Sequence, residues 1–137
     1  MLEKILEDHE LWFRTKGKEG DRAVLKGIDL SRAVLRNACL VEADLMGACL
    51  QHADLRGADL RGANLQDADF QGARLEEANL EETDLILSNL NDAQMKNTRL
   101  DGAYLHGADL SGARGLVPAQ VRECYTDEST RLPNGFK

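Results

Sequence analysis

A large apolar residue stands at every fifth position from Leu25 to Leu110, without a gap. Of these eighteen positions sixteen are Leu, and the other two are Phe70 and Met95. Two places before each comes a small residue in nearly every unit: fourteen are Ala, the others Ile28, Thr83, Ser88 and Thr98. The residue just before the large one is Asp or Asn in ten units, and the residue two places after it is Gly, Asn or Asp in twelve.

A period of five fits neither regular element. On an α-helix, at roughly 100° per residue, successive leucines would step by ~140° and scatter round the axis. On a continuous strand an odd period would send alternate leucines to opposite faces. A short extended fragment followed by a corner does fit, because positions two apart then point the same way. The Ala and the Leu of each unit face inward, and the other three residues face water. Gly, Asn and Asp suit the corners, since they tolerate tight turns. Repeated, fragment and corner close into a coil whose layers stack by hydrogen bonds around a leucine ladder, with Ala in the narrow spaces.

The run Ala53-Asp54-Leu55-Arg56-Gly57-Ala58-Asp59-Leu60-Arg61-Gly62-Ala63-Asn64-Leu65 resembles the pentapeptide-repeat proteins, whose unit reads A-(D/N)-L-x-x. The resemblance covers residues 23–112. It implies an all-β solenoid, a right-handed quadrilateral β-helix with four units per coil. Eighteen units then make about 4.5 coils, and at ~4.8 Å between layers the solenoid is ~22 Å long. Three regions are expected: an N-terminal cap and link over 1–20, the repeat over 21–112, and a C-terminal cap and tail over 113–137.

A solenoid exposes its core and an unpaired edge at each end, so it needs caps. Leu2, Ile5, Leu6, Trp12 and Phe13 fall along one side of a short amphipathic helix over residues 2–13, expected to lie on the first coil. The repeat fails at Gly115, where a large apolar residue is due. Pro118 is well placed for the first turn of a helix. A short capping helix over 118–125 is expected, packed through Leu116, Val121 and Tyr125, with coil from Thr126 onward. Both flanks are similar to those of small bacterial members of the family.

Composition narrows the function. The chain of 137 residues carries 17 basic against 24 acidic residues, a formal charge of −7, and only 4% aromatics. An acidic surface repels phosphates, so direct nucleic-acid binding is not expected. No apolar run approaches the ~18 residues of a membrane span. The start, Met1 to Glu10, is interrupted by charge and lacks the long apolar run of a secretory signal, so a cytoplasmic location is expected. Cys39, Cys49 and Cys124 form neither an even disulfide set nor a metal-ligand spacing.

No catalytic, cofactor-binding or metal residues are expected. Glu76-Glu77 and Glu81-Glu82 are paired carboxylates, but a convex prism offers them no desolvated pocket. His9, His52 and His106 share no ligand spacing, and no nucleotide-binding fingerprint occurs. The outward feature that stands apart is Ile86-Leu87, on the face that also shows Met46 and Tyr104. These four residues are the candidate partner contact.

Two functions follow. One is a non-catalytic interaction module for a protein partner, monomeric, with weak pairing through an imperfect C-terminal cap as the alternative. The other comes from the resemblance: its quinolone-resistance branch mimics duplex DNA and binds type II topoisomerases. Magnitudes favour the first. Over ~22 Å, B-DNA presents about 13 phosphates at one per ~1.7 Å. The repeat offers −7, and the face of Leu35, Leu55, Leu75 and Met95 is slightly positive.

Overall fold

The computed structural model describes residues 1–136. From Val24 onward the chain winds so that each residue before a ladder position pairs with the residue twenty further on. Val24 meets Asp44, Asp29 meets Cys49, Val34 meets Asp54, Cys39 meets Asp59, and the series runs on to Gln94 with Arg114. Four columns of pairs therefore stand side by side, one per face of the coil. Every pairing is parallel and is an isolated bridge rather than a continuous strand. A corner follows each inward pair too soon for a longer strand to form.

Hydrogen bonds run between layers in both directions. Leu55 donates its N–H to the Arg74 carbonyl at 2.8 Å, while Asp54 donates to Ala33 at 2.9 Å. At each corner the chain closes a tight turn, as in Ala58 N–H to Leu55 carbonyl at 3.0 Å. The third residue of these turns has a left-handed φ, as at Gly57 (71°) and Leu87 (62°), which is type II geometry. Gly112, at the last corner, is the exception.

The turns explain the ten Asp and Asn residues that precede ladder positions. Each accepts the backbone N–H two residues on: Asp29 from Ser31, Asp44 from Met46, Asp54 from Arg56, Asp59 from Arg61 and Asn64 from Gln66. Asp69, Asn79, Asp84, Asn89 and Asp109 do the same for Gln71, Glu81, Ile86, Asn91 and Ser111. These are Asx turns, in which a short polar side chain replaces a backbone acceptor. Much of the acidic character of the repeat is therefore turn chemistry.

The ladder is buried throughout, from Leu25 at 2% exposure to Leu110 at 0%. Where the small inward position is not Ala, the hydroxyl finds a carbonyl: Thr83 to Leu80, Ser88 to Leu85 and Thr98 to Leu75, each at 2.7 Å. Ile28 is too large for that slot and lies 44% exposed on the first coil.

Helix α1 spans Leu2–Arg14 and lies across the first coil. Leu2, Ile5 and Leu6 pack on the core, and His9 is fully buried beneath the helix. Trp12 stacks on His9 with ring centroids 5.3 Å apart. Phe13 departs from expectation and is 40% exposed. With Trp12, Lys16, Gly17 and Glu42 it lines a small groove at the rim of the coil. The returning chain passes so close under α1 that a Cβ on Gly20 would overlap the Asp8 carbonyl.

Helix α2 is shorter than expected and covers Pro118–Val121 only. Leu116 takes the inward place that Gly115 leaves empty. The Gln120 side chain donates to the Met95 and Thr98 carbonyls at 2.8 and 3.0 Å and accepts the Val117 N–H at 2.7 Å. After α2 the chain rejoins the coil out of register. Tyr125 pairs with Tyr104, and Arg131 with Asp109. The end of the expected helix, at Tyr125, and the segment expected as coil, at Arg131, thus each extend one face of the solenoid, held also by Thr130 Oγ1 donating to the Leu105 carbonyl at 2.8 Å.

Candidate interaction surface

The column of Val24, Asp44, Asn64, Asp84, Tyr104 and Tyr125 forms one face, here the tyrosine face. Its C-terminal half carries the residues singled out from sequence. Tyr104 is 42% exposed and Leu87, at the next corner, 56% exposed. Ile86, beside Leu87, is half-buried. Met46 lies apart from them. The corner residues stack as Met46, Gln66, Ile86 and His106, so a full layer with Gln66 separates Met46 from Ile86.

Tyr125 belongs to this surface rather than to the cap core. Its ring stacks on that of Tyr104 at 4.8 Å and stays 54% exposed. Counting by twenty from Tyr104 leads to Cys124, and the extra residue enters with α2. No periodicity in the sequence marks that slip. The ring of His106 also stacks with that of Tyr104, at 6.4 Å. Leu87 reaches its position because Gly107, one layer below, has no side chain; a Cβ there would sit 2.7 Å from Leu87 Cδ2.

On the other edge of the tyrosine face lies an open groove of about 590 Å³, lined by Arg61, Glu81, Glu82, Asp101, Gly102, Glu123 and Tyr125. Arg61 is committed to Asp59 at 2.6 Å, and Glu81 to Arg99 at 2.9 Å. A second forked pair joins Arg56 to Asp54 at 2.7 and 2.8 Å, and this hydrogen bonding holds the Asp54 carboxyl at about 2. Among the described residues no group of three His, Cys, Asp or Glu is placed to hold a metal ion. Cys39, Cys49 and Cys124 are free thiols. Cys124 donates to the Leu100 carbonyl at 3.1 Å, and burial pushes its thiol up to about 11.

The model of the family described as pentapeptide repeats matches residues 21–51, 48–85 and 78–114, in eight copies. This chain belongs to the pentapeptide-repeat family. Solved structures of other members agree in fold. A pentapeptide repeat protein from the thylakoid lumen of Arabidopsis thaliana is 32% identical, with 65% of this chain and 69% of that one covered and a TM-score of 0.57. Rfr23 from the cyanobacterium Cyanothece 51142 is 31% identical over 77% of this chain and 64% of its own, with a TM-score of 0.53. QnrB1, a plasmid-mediated fluoroquinolone resistance protein, is 22% identical over 84% of this chain and 68% of its own, with a TM-score of 0.51. At that identity the likeness to QnrB1 concerns the fold alone. No curated protein sequence matches the chain. Among the described residues no helix is long and apolar enough to cross a membrane.

Proposed function

We propose that this pentapeptide-repeat protein is a non-catalytic interaction module that presents its tyrosine face to a protein partner. The coil is taken as the right-handed quadrilateral β-helix of its family. The observation that carries the reading is the grouping of Leu87, Tyr104 and Tyr125 at one end of one face, each more than 40% exposed and the two tyrosine rings stacked, whereas Val24 and Val34 are exposed at the opposite end of the coil. Large apolar and aromatic residues grouped in the open mark contact sites, whereas single ones do not. Ile86 extends the patch, and Met46 is a separate contact two layers away.

The rest of the molecule supports a scaffold role. The inward positions are filled by the leucine ladder, so reactive groups sit on open faces rather than in a desolvated pocket. Both ends carry helices, which favours a monomer. Free thiols on separate faces suit a reducing compartment, and we place the protein in the cytoplasm.

The test is affinity capture from the native cell with the wild-type chain and with a Leu87→Asp, Tyr104→Ser double variant as baits. Both substitutions lie outside the core, so the variant keeps its fold, verified by its circular dichroism and melting curve. Proteins held by the wild type are expected to be lost from the variant. If every one is retained, the tyrosine face is not the contact.

A further inference from the structure

We propose that the partner segment received by the tyrosine face is basic: a short stretch in which arginine or lysine flanks an apolar side chain. This rests on the reading of the protein as an interaction module and adds the chemistry of what it binds. The two edges of the face differ in kind. One presents Leu87 and Ile86; the other presents the groove of Glu81, Glu82, Asp101 and Glu123. Tyr104 and Tyr125 join them as a stacked pair.

Charge selects the occupant. Among the described residues Glu82, Asp101 and Glu123 have no ion-pair partner; of the cations at the groove, Arg61 is held by Asp59 and Arg99 by Glu81. Arg122 lines a different cavity, with Pro118 and Leu132 at the end of the coil. Most other acidic side chains of the repeat are tied into Asx turns or ion pairs, so this edge stands out by having carboxylates to spare. A guanidinium entering the groove would meet these carboxylates and the exposed ring of Tyr125 together. That pairing of charge with an aromatic face favours a cation on both counts. An apolar side chain next to it in an extended segment would lie toward Leu87. Phosphate-bearing ligands are repelled by the same carboxylates.

The left-handed φ of Leu87 (62°) points the same way. That conformation is unfavourable for an L-residue with a bulky side chain. Twelve of the eighteen units of this chain place Gly, Asn or Asp there and Leu87 is the one apolar residue at that place, so a large apolar side chain at this corner is held against local preference. Gly107 makes the space into which it leans.

The test is fluorescence anisotropy with a labelled peptide of repeated Arg-Leu-Arg-Gly units. Two control peptides carry Glu in place of Arg, or Gly in place of Leu. The full chain is expected to bind the Arg-Leu peptide saturably and at least about tenfold more tightly than either control. Glu82→Lys with Glu123→Lys should weaken binding about tenfold or more. Tyr125→Ala should weaken it about fivefold and Tyr125→Phe hardly at all, since the ring and not the hydroxyl receives the cation. Absence of saturable binding overturns the proposal. So does binding that falls with salt but ignores Tyr125→Ala and Leu87→Asn, because that is unspecific charge attraction. If the bait experiment above finds a partner lost from the Leu87 and Tyr104 variant yet indifferent to Glu82→Lys with Glu123→Lys, the interaction face stands and the basic occupant falls.

Discussion

His9 Nδ1 accepts the backbone N–H of Ala23 at 2.9 Å, and its Nε2 lies 2.8 Å from the Val41 carbonyl oxygen. The first contact requires a bare Nδ1, so the ring proton is on Nε2 and is donated to Val41. One neutral imidazole thus closes two backbone groups on the open edge of the first coil. Protonation would put a second N–H against that of Ala23.

Burial pushes the His9 pKa below its ordinary 6.5, with Arg22 nearby acting in the same direction and the Val41 bond and Glu42 opposing. The unfolded chain therefore takes up this proton more readily than the folded one. The contribution of His9 is complete above about pH 6.5 and is lost as pH falls below it, by up to ~1.4 kcal/mol per pH unit. His9→Gln should cost about 1–3 kcal/mol at neutral pH and flatten this slope. Urea midpoints of both chains between pH 5 and 8 check it; parallel slopes would refute the assignment.

Gln120 does at the other end what His9 does at the first. Gln120→Ala frees the Met95 and Thr98 carbonyls and the Val117 N–H. The expected loss is about 1–3 kcal/mol, concentrated in the last layer. Trypsin should cut after Arg122 and Arg131 several-fold faster, while the repeat resists, since local opening sets cleavage there. Uniform cleavage along the chain would place the weakness elsewhere.

Leu60 is fully buried in the middle of the ladder, whereas Leu30 on the first coil is 5% exposed. Leu60→Ala should cost about 3 kcal/mol, and Leu30→Ala less, because α1 can settle into the space left behind. Equilibrium unfolding of the two variants gives the comparison. Equal losses would mean that α1 is as rigid a neighbour as another coil.

Leu87→Asn should not destabilise the protein, and a gain of a few tenths of a kcal/mol is expected, because Asn tolerates the left-handed corner and little buried area is lost. Thermal melting measures it. A clear fall in Tm would show that Leu87 serves the fold rather than a partner.

Purified protein at low micromolar concentration is expected to leave gyrase supercoiling unchanged. Arg56, Arg61 and Arg99 offset the carboxylates of Asp54, Asp59 and Glu81 beside them. The charge of these faces is therefore broken up rather than lined as in a duplex. Inhibition in that assay would reverse the ranking of the two functions.

The coil was legible because its cause is local. Each Leu, its Ala two places earlier and its corner repeat the same steric solution, so spacing alone reveals it. The role of the Asp and Asn positions was visible as a bias but not as a hydrogen bond until the turns were in view. His9 gave no signal, because its partners lie 14 and 32 residues away. Tyr125 was misplaced for a similar reason: α2 adds one residue between layers, and a slip of that kind leaves no mark on composition or period. Of the residues proposed as contacts, Ile86 and Leu87 are neighbours in space because they are neighbours in sequence; Met46 shares their edge but not their neighbourhood.

The twenty-residue register has a consequence for how such a protein changes size. His9 is fastened to the first turn of the coil, and Gln120 to the last full one. The layers between touch neither fastening. Removing or duplicating a block of twenty residues there would bring both termini back over the same sides, with every seal intact. Reach along the axis is therefore a quantity that evolution or a designer can reset in whole steps, while the closures at either end stay untouched.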